Sequence, residues 1–541
     1  MKQLQYVVVF FTVLFYSCAP STDADVVYFN GRVYTVDSAF SVVSAFAVKE
    51  GRIVATGSSE QLENMSAKEF VDLKGAAVYP GFYDAHCHFY GYAVDLQKTW
   101  LIGTKSFNDV LDTLIKFKDR RFMGWVFGRG WDQNDWDIKE YPDRSQLDIL
   151  FPDVPVFLMR IDGHAALVNG KALELAGITK NTKVEGGEIV IKGNELSGLL
   201  IDNAVDLVKN IIPVPNVNVL EASLLDAQKN CFEVGLTSVV DAGLDVNTIL
   251  LIDSLQKAGK LKMRVNAMVS YNPANVKYYQ QHGPYKSERL NVRSFKLYAD
   301  GALGSRGACL LDAYSDLPGH FGFLLSSVDS LKDAARTARA MGFQLNTHCI
   351  GDSANHLLLK IYSDVLKGKN NLRWRIEHAQ VIHPDDFHLF GDYSVIPSVQ
   401  PTHATSDMYW AADRIGAERI KSAYAYATLL NQNGFLAAGS DFPVESINPL
   451  FGFYAAVVRK DQKDFPAQGY MKENALSRVQ ALRAMTCWAA YASFEEQERG
   501  SLEKGKWADF VILDKDLLSA PEKELFKIKI LKTYIGGERV F

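Results

Sequence analysis

The sequence predicts an α/β fold: a (β/α)8 TIM barrel with a small β-sandwich built from both termini and an insertion after barrel strand 1. Three observations predict it. Apolar, β-rich runs alternate with helical stretches through the middle of the chain, as in a parallel sheet covered by helices. Eight such runs occur, at 77–88, 236–242, 261–271, 292–301, 343–351, 373–380, 394–401 and 435–444. Both ends of the chain are strand-rich. Eight strands fit a closed barrel, with an open doubly wound sheet as the alternative.

The elements follow in order. Lys2, the apolar run 6–15 and then Ser17-Cys18 have the charge, length and small-residue end of a signal peptide over 1–18. A cysteine directly after a small residue resembles a bacterial lipobox, so Cys18 is the expected acylation site and the cell envelope the expected location. A soluble periplasmic product is the alternative. Residues 22–78 and 500–541 should form the sandwich. Within them, 26–35 reads as a hairpin about Asn30-Gly31, 508–514 as a strand, and 530–541 as two strands about Gly536-Gly537. The barrel takes 79–499, with helices such as 220–234, 330–341 and 353–366 between its strands. The stretch 91–215 breaks the rhythm and is rich in Trp and Asp, so it reads as an insertion able to cover the barrel mouth.

Composition excludes several classes. With 58 Lys+Arg against 63 Asp+Glu, a net charge of -5 and no basic run, there is no nucleic-acid footprint. Beyond the first twenty residues no apolar stretch is long enough to span a bilayer. The expected partners are a small-molecule substrate, no nucleic acid, a membrane reached only through an N-terminal lipid anchor, and at most a second copy in a homodimer. The cysteines beyond Cys18 are scattered without a CxxC, as buried thiols would be.

The chemistry begins at Pro80-Gly-Phe-Tyr-Asp-Ala-His-Cys-His88. Alternate side chains of a strand share a face, so His86 and His88 point the same way about 6–7 Å apart, a separation that suits two imidazoles on one metal. Alone, an HxH pair is weak. Its weight comes from His348, His378 and Asp441, each the polar residue at the C-terminal end of an expected strand, because those ends converge on one mouth in a barrel. Lys296 lies inside an apolar run, where burial is costly unless the amine is paired or altered. It could pair with Asp300, act as a Schiff-base lysine, or be carboxylated by CO2 and bridge two metals. The last reading accounts for its company. His164, Trp131, Asp132 and His403 are candidate substrate contacts, and Asp84 is placed to orient a ligand. Cys87 should point away from its flanking histidines.

These segments resemble the amidohydrolase superfamily, in particular its YtcJ-like branch of metal-dependent hydrolases, which includes N-substituted formamide deformylase. The resemblance is carried by PGFYDAHCH at 80–88, GRGWD at 128–132, RIDGH at 160–164 and GLTSVVDAG at 235–243. It continues through KLYADGALGSRGA at 296–308, THCIGD at 347–352, RIEHAQ at 375–380, GSDFPVE at 439–445 and GSLEKGKWADFVILD at 500–514. It implies one or two divalent metal ions, zinc by family habit. His86, His88 and Asp441 would hold the first, and carboxylated Lys296, His348 and His378 the second. The implied activity is hydrolysis of a C–N bond other than a peptide bond, in an amide, N-formyl or N-acyl small molecule, by metal-activated hydroxide with Asp441 as proton shuttle. The same site acting on lactones or esters, or as a deaminase, and a catalytically dead lipid-anchored binding protein are the alternatives.

Overall fold

The computed structural model describes residues 23–119 and 121–541; the signal-peptide segment and Cys18 lie outside the described residues. Its central sheet runs β1 (Phe82–Cys87), β2 (Leu236–Leu244), β3 (Arg264–Ser270), β4 (Leu290–Tyr298), β5 (Gln344–Cys349), β6 (Arg375–His378), β7 (Ile396–Val399) and β8 (Ala437–Ala438). Each neighbouring pair is parallel. The seam between β8 and β1 is drawn together by the turn after β8. Asp441 N donates to His86 O at 2.7 Å, and His88 N donates to Phe442 O at 2.8 Å. A nearly closed eight-stranded barrel results. Helices Val217–Glu233, Val328–Met341 and Asp352–Leu366 pack outside it, the first two opened by Asn216 and Ser327 side chains that accept a backbone N–H of the first turn.

Two of the expected strands are shorter than the apolar runs that announced them. The run 77–88 breaks at Pro80-Gly81 into Ala77–Pro80, which joins a terminal sheet, and β1. Gly81 is obligatory there, since a Cβ on it would lie 2.3 Å from Thr237 Oγ1 on β2. The run 435–444 contracts to β8, because Asp441 takes φ +61° and turns the chain out of the ladder.

The sandwich joins both ends of the chain. One sheet is ordered Arg52–Gly57, Ala45–Lys49, Ala24–Phe29, Ala67–Asp72; the other is Glu538–Arg539, Ile530–Ile535, Phe510–Leu513, Ala77–Pro80, Arg32–Tyr34, Val42–Val43. Tyr28, Phe46, Val78, Phe510 and Tyr534 pack between them. The turn at Gly536-Gly537 is a hairpin, both glycines having positive φ. Asn30-Gly31 is not. Ala24–Phe29 and Arg32–Tyr34 belong to different sheets, so this link crosses the sandwich instead of folding a strand onto its neighbour. Asn30 takes φ +56° and Gly31 sits against Leu73, 2.4 Å from where a Cβ would be, which lets the backbone turn between layers.

The insertion after β1 carries its own mixed sheet, ordered Gly187–Lys192, Glu195–Asp202, Ala165–Val168, Val156–Arg160, Val126–Trp131, Thr99–Trp100. Its two faces pack separate apolar clusters, one holding Leu158 and Ala165, the other Phe157 and Ala166. No helix of the described residues is long and apolar enough to cross a membrane.

Candidate metal centre

The C-terminal ends of β1, β4, β5 and β6, with the turns after β7 and β8, converge on one cavity of about 520 Å³. His88, Lys296, His348, His378, His403 and Asp441 line it, and His86 is buried against them. Asp84 and His86 share the inner face of β1, while Cys87 faces outward and donates Sγ–H to Val240 O. On β6, strict alternation would turn His378 away from Glu377 and the barrel interior. Its φ of +72° breaks the alternation and swings the imidazole into the cavity.

Asp441 is the hub. Its Oδ1 lies 3.2 Å from His88 Nε2 and 3.5 Å from His86 Nε2, and its Oδ2 lies 3.7 Å from His403 Nε2. Burial alone would raise its pKa, but the imidazoles of His88, His86 and His378 around it outweigh that and hold the carboxyl well below the usual range. The imidazoles are held from behind. His86 Nδ1 bonds Glu377 Oε2 at 2.5 Å, and His378 Nδ1 bonds Gln400 Oε1 at 2.8 Å, so in both rings Nε2 faces the common centre. Glu377 is itself paired with Arg375 at 2.7 Å. Burial would push its carboxyl up; Arg375, then His86 and Lys296, outweigh this and bring it down to about 2.

Two groups have ligand atoms close enough for one ion each, all within 4.8 Å of one another: His86, His88 and Asp441; and His378, His403 and Asp441. Asp441 Oδ1 and His403 Nε2 are buried with no aligned hydrogen-bond partner. An unsatisfied buried acceptor costs about 1–3 kcal/mol, and imidazole nitrogens gathered round a carboxylate are the donor set of zinc and related divalent ions. The residues fit such an ion.

All six expected ligands therefore meet, but they are sorted differently from the expectation. His403, expected to touch substrate, joins His378 in the second group. His348 stands beside that group, its ring centroid 4.4 Å from that of His378, with Nε2 3.4 Å from Gly301 O. Lys296 is fully buried with Nζ 3.4 Å from His86 Nε2, and burial draws its pKa down to about 8. Among the described residues no carboxylate pairs with it. Asp300 does not, because its oxygens accept the backbone amides of Ile350, Gly351 and Cys309.

Of the expected substrate contacts, His164, Asp132 and His403 line the cavity and Trp131 does not. A bulge at Gly130 (φ +103°) shifts the register between Arg129 and Trp131, turning the indole into the insertion's own core, where Nε1 donates to Leu158 O at 2.8 Å. Asp84 acts on two of the expected ligands through their backbone: its carboxylate accepts His86 N at 3.1 Å, and Ser440 N at 3.0 Å and Ser440 Oγ at 2.6 Å in the turn that presents Asp441. Burial pushes that carboxyl up to about 7. Sequence reasoning missed Glu377 and Gln400, whose only signal was a polar residue inside or ending an apolar strand run.

Residues 69–541 match the model of the Amidohydrolase family. YtcJ of Bacillus subtilis is 31% identical over 95% of this chain and 99% of its own. N-substituted formamide deformylase of Arthrobacter pascens is 26% identical over 95% of this chain and 97% of its own. The crystal structure of an uncharacterized metal-dependent hydrolase from Pyrococcus horikoshii superposes with a TM-score of 0.75 at 29% identity, covering 92% of this chain and 99% of that one.

Proposed function

Since the chain belongs to the amidohydrolase family, we propose that it is a metal-dependent hydrolase of C–N bonds other than peptide bonds, acting on an amide, N-formyl or N-acyl small molecule. The observation that carries this reading is the hub at Asp441, whose two oxygens reach three imidazoles at the floor of a cavity of small-molecule size. His86, His88 and Asp441 would hold one divalent ion, zinc by ligand type. His378, with His403 or His348 and Lys296, would hold a second. An ion held there would supply a Lewis acid for the substrate carbonyl and would lower the pKa of a coordinated water toward about 7.

The chain's own residues do the rest. Asp441 is kept ionised by its imidazoles, so it can take the water's proton and pass it to the leaving nitrogen. That transfer matters because an amine leaves poorly until its nitrogen is protonated. Lys296, with its lowered pKa and no carboxylate partner, is suited to carboxylation: neutral Nζ attacks the carbon of CO2, an N–C bond forms, and a proton is released to solvent. The new carboxylate would give the buried side chain the negative charge that a ligand needs. Tyr298, whose ring lies 4.6 Å from Nζ, closes one side of that space. The N-terminal sequence alone supports export and an anchor at Cys18.

The deformylase among the relatives favours amides over esters. Metal analysis together with hydrolysis of a panel of N-formyl amines, N-acyl amines, lactones and aminated rings tests the proposal. We expect bound divalent metal, turnover of amides lost on chelation, and recovery with zinc. Preference for lactones or for deamination would replace the substrate class, and a metal-free protein inert on every compound would leave a binding protein.

A further inference from the structure

We propose that the insertion supplies a working part of the reaction centre: His164, held by Asp202, hydrogen-bonds the substrate's amide through Nε2. The inference rests on the hydrolase reading above. His164 stands in the link between Val156–Arg160 and Ala165–Val168, two strands of the insertion sheet. Its ring lines the cavity with its centroid 5.0 Å from that of His348. Nδ1 is committed to Asp202 Oδ1 at 2.7 Å. Among the described residues Nε2 has no hydrogen-bond partner, and the ring lines the cavity. An amide presents both an N–H donor and a carbonyl acceptor, so Nε2 finds a partner whichever proton count the imidazole carries.

The support behind His164 is elaborate for an ordinary loop histidine. Asp202 ends the strand Glu195–Asp202 with φ +51°, a strained conformation for a non-glycine residue, and its backbone N donates to His164 O at 2.7 Å. Its carboxylate is buried in a cradle formed by the loop after β4. A Cβ on Gly301 or Gly307 would lie 2.4 Å or 2.0 Å from its oxygens. Gly301 and Gly307 are thus explained by the carboxylate they admit. That loop follows directly from the strand bearing Lys296, so the cradle ties the insertion to the barrel at the centre itself. Asp202 is a positioning residue, and His164 is the group that touches substrate.

The test uses the full chain, with metal content measured first and the N-formyl amine that the wild type turns over fastest. His164→Ala should lower kcat by about 10²-fold, the cost of one preorganised hydrogen-bonding group, with metal content unchanged and partial recovery on adding imidazole. His164→Gln serves if the alanine variant folds poorly. Asp202→Asn and Gly307→Ala should give smaller losses of similar size to each other. Independently of turnover, a downfield imidazole N–H proton resonance should be present in the wild type, shift when N-benzylformamide is added, and vanish in both His164→Ala and Asp202→Asn. Turnover by His164→Ala within threefold of wild type, loss of metal from it, or a resonance indifferent to N-benzylformamide would each overturn the proposal. A wild type inert on all amides whose resonance still responds to N-benzylformamide would sink the hydrolase reading and leave the contact standing.

Discussion

Glu377 decides which nitrogen of His86 looks into the cavity. Its carboxylate accepts from Nδ1, and Arg375 keeps that carboxylate ionised, so Nε2 is left for a ligand's work. Glu377→Gln keeps the shape but can accept only weakly from Nδ1, and it frees the ring to change tautomer. Metal affinity should fall by about 10–100-fold, read by competition with a chromophoric chelator; an affinity equal to wild type would remove Glu377 from this role. The histidines were legible in the sequence because strand alternation and strand ends are local properties. Glu377 was not, since its partner lies 291 residues away and nothing local distinguishes it from a satisfied core carboxylate. His348 was legible as a strand-end histidine, but its turn toward Gly301 O depends on the loop after β4.

Strands and helices were readable to within a few residues wherever β-branched runs or capping residues fixed them. The failures have a common cause. At Asn30-Gly31 and at Gly130, a residue with positive φ redirects the chain, and sequence shows that such a turn is available without showing which layer it enters. The insertion gives the clearest consequence. Its sheet has its own apolar clusters on each face, with Trp131 at the heart of one. Trp131→Ala should cost that unit about 3–5 kcal/mol and expose it to limited proteolysis within 91–215, while metal content stays at the wild-type level. KM should rise, because the insertion carries His164 and Asp132 over the cavity. A protein that instead loses its metal would mean the insertion and barrel unfold as one.

The sandwich and the barrel are fastened by a buried ion pair. Arg264, on β3, donates through Nε and Nη2 to Asp509 at 2.6 and 2.9 Å, and Asp509 also accepts Gly536 N at 2.7 Å. Burial alone would raise the carboxyl's pKa; Arg264 outweighs it and holds it below the ordinary value. A depressed folded pKa stabilises the native state above the unfolded value of about 3.9 and loses that contribution as pH falls through the folded value. Asp509→Asn should therefore cost about 3–5 kcal/mol near neutral pH, and the gap from wild type should narrow below about pH 4. Urea denaturation across that range measures it; a gap independent of pH would assign the loss to packing.

The order in which the chain is made gives the seam a further meaning. Tyr79 waits 437 residues for Asp516, and the carboxylate at 441 joins the imidazoles at 86 and 88 only once the last barrel strand has been added. Chains still emerging from the ribosome hold half a centre for most of synthesis, with no completed pocket to trap a stray cation early. Translation must pass β8 before the ring can shut, so a product stopped earlier is left without the centre as well as without the sandwich strands that follow it.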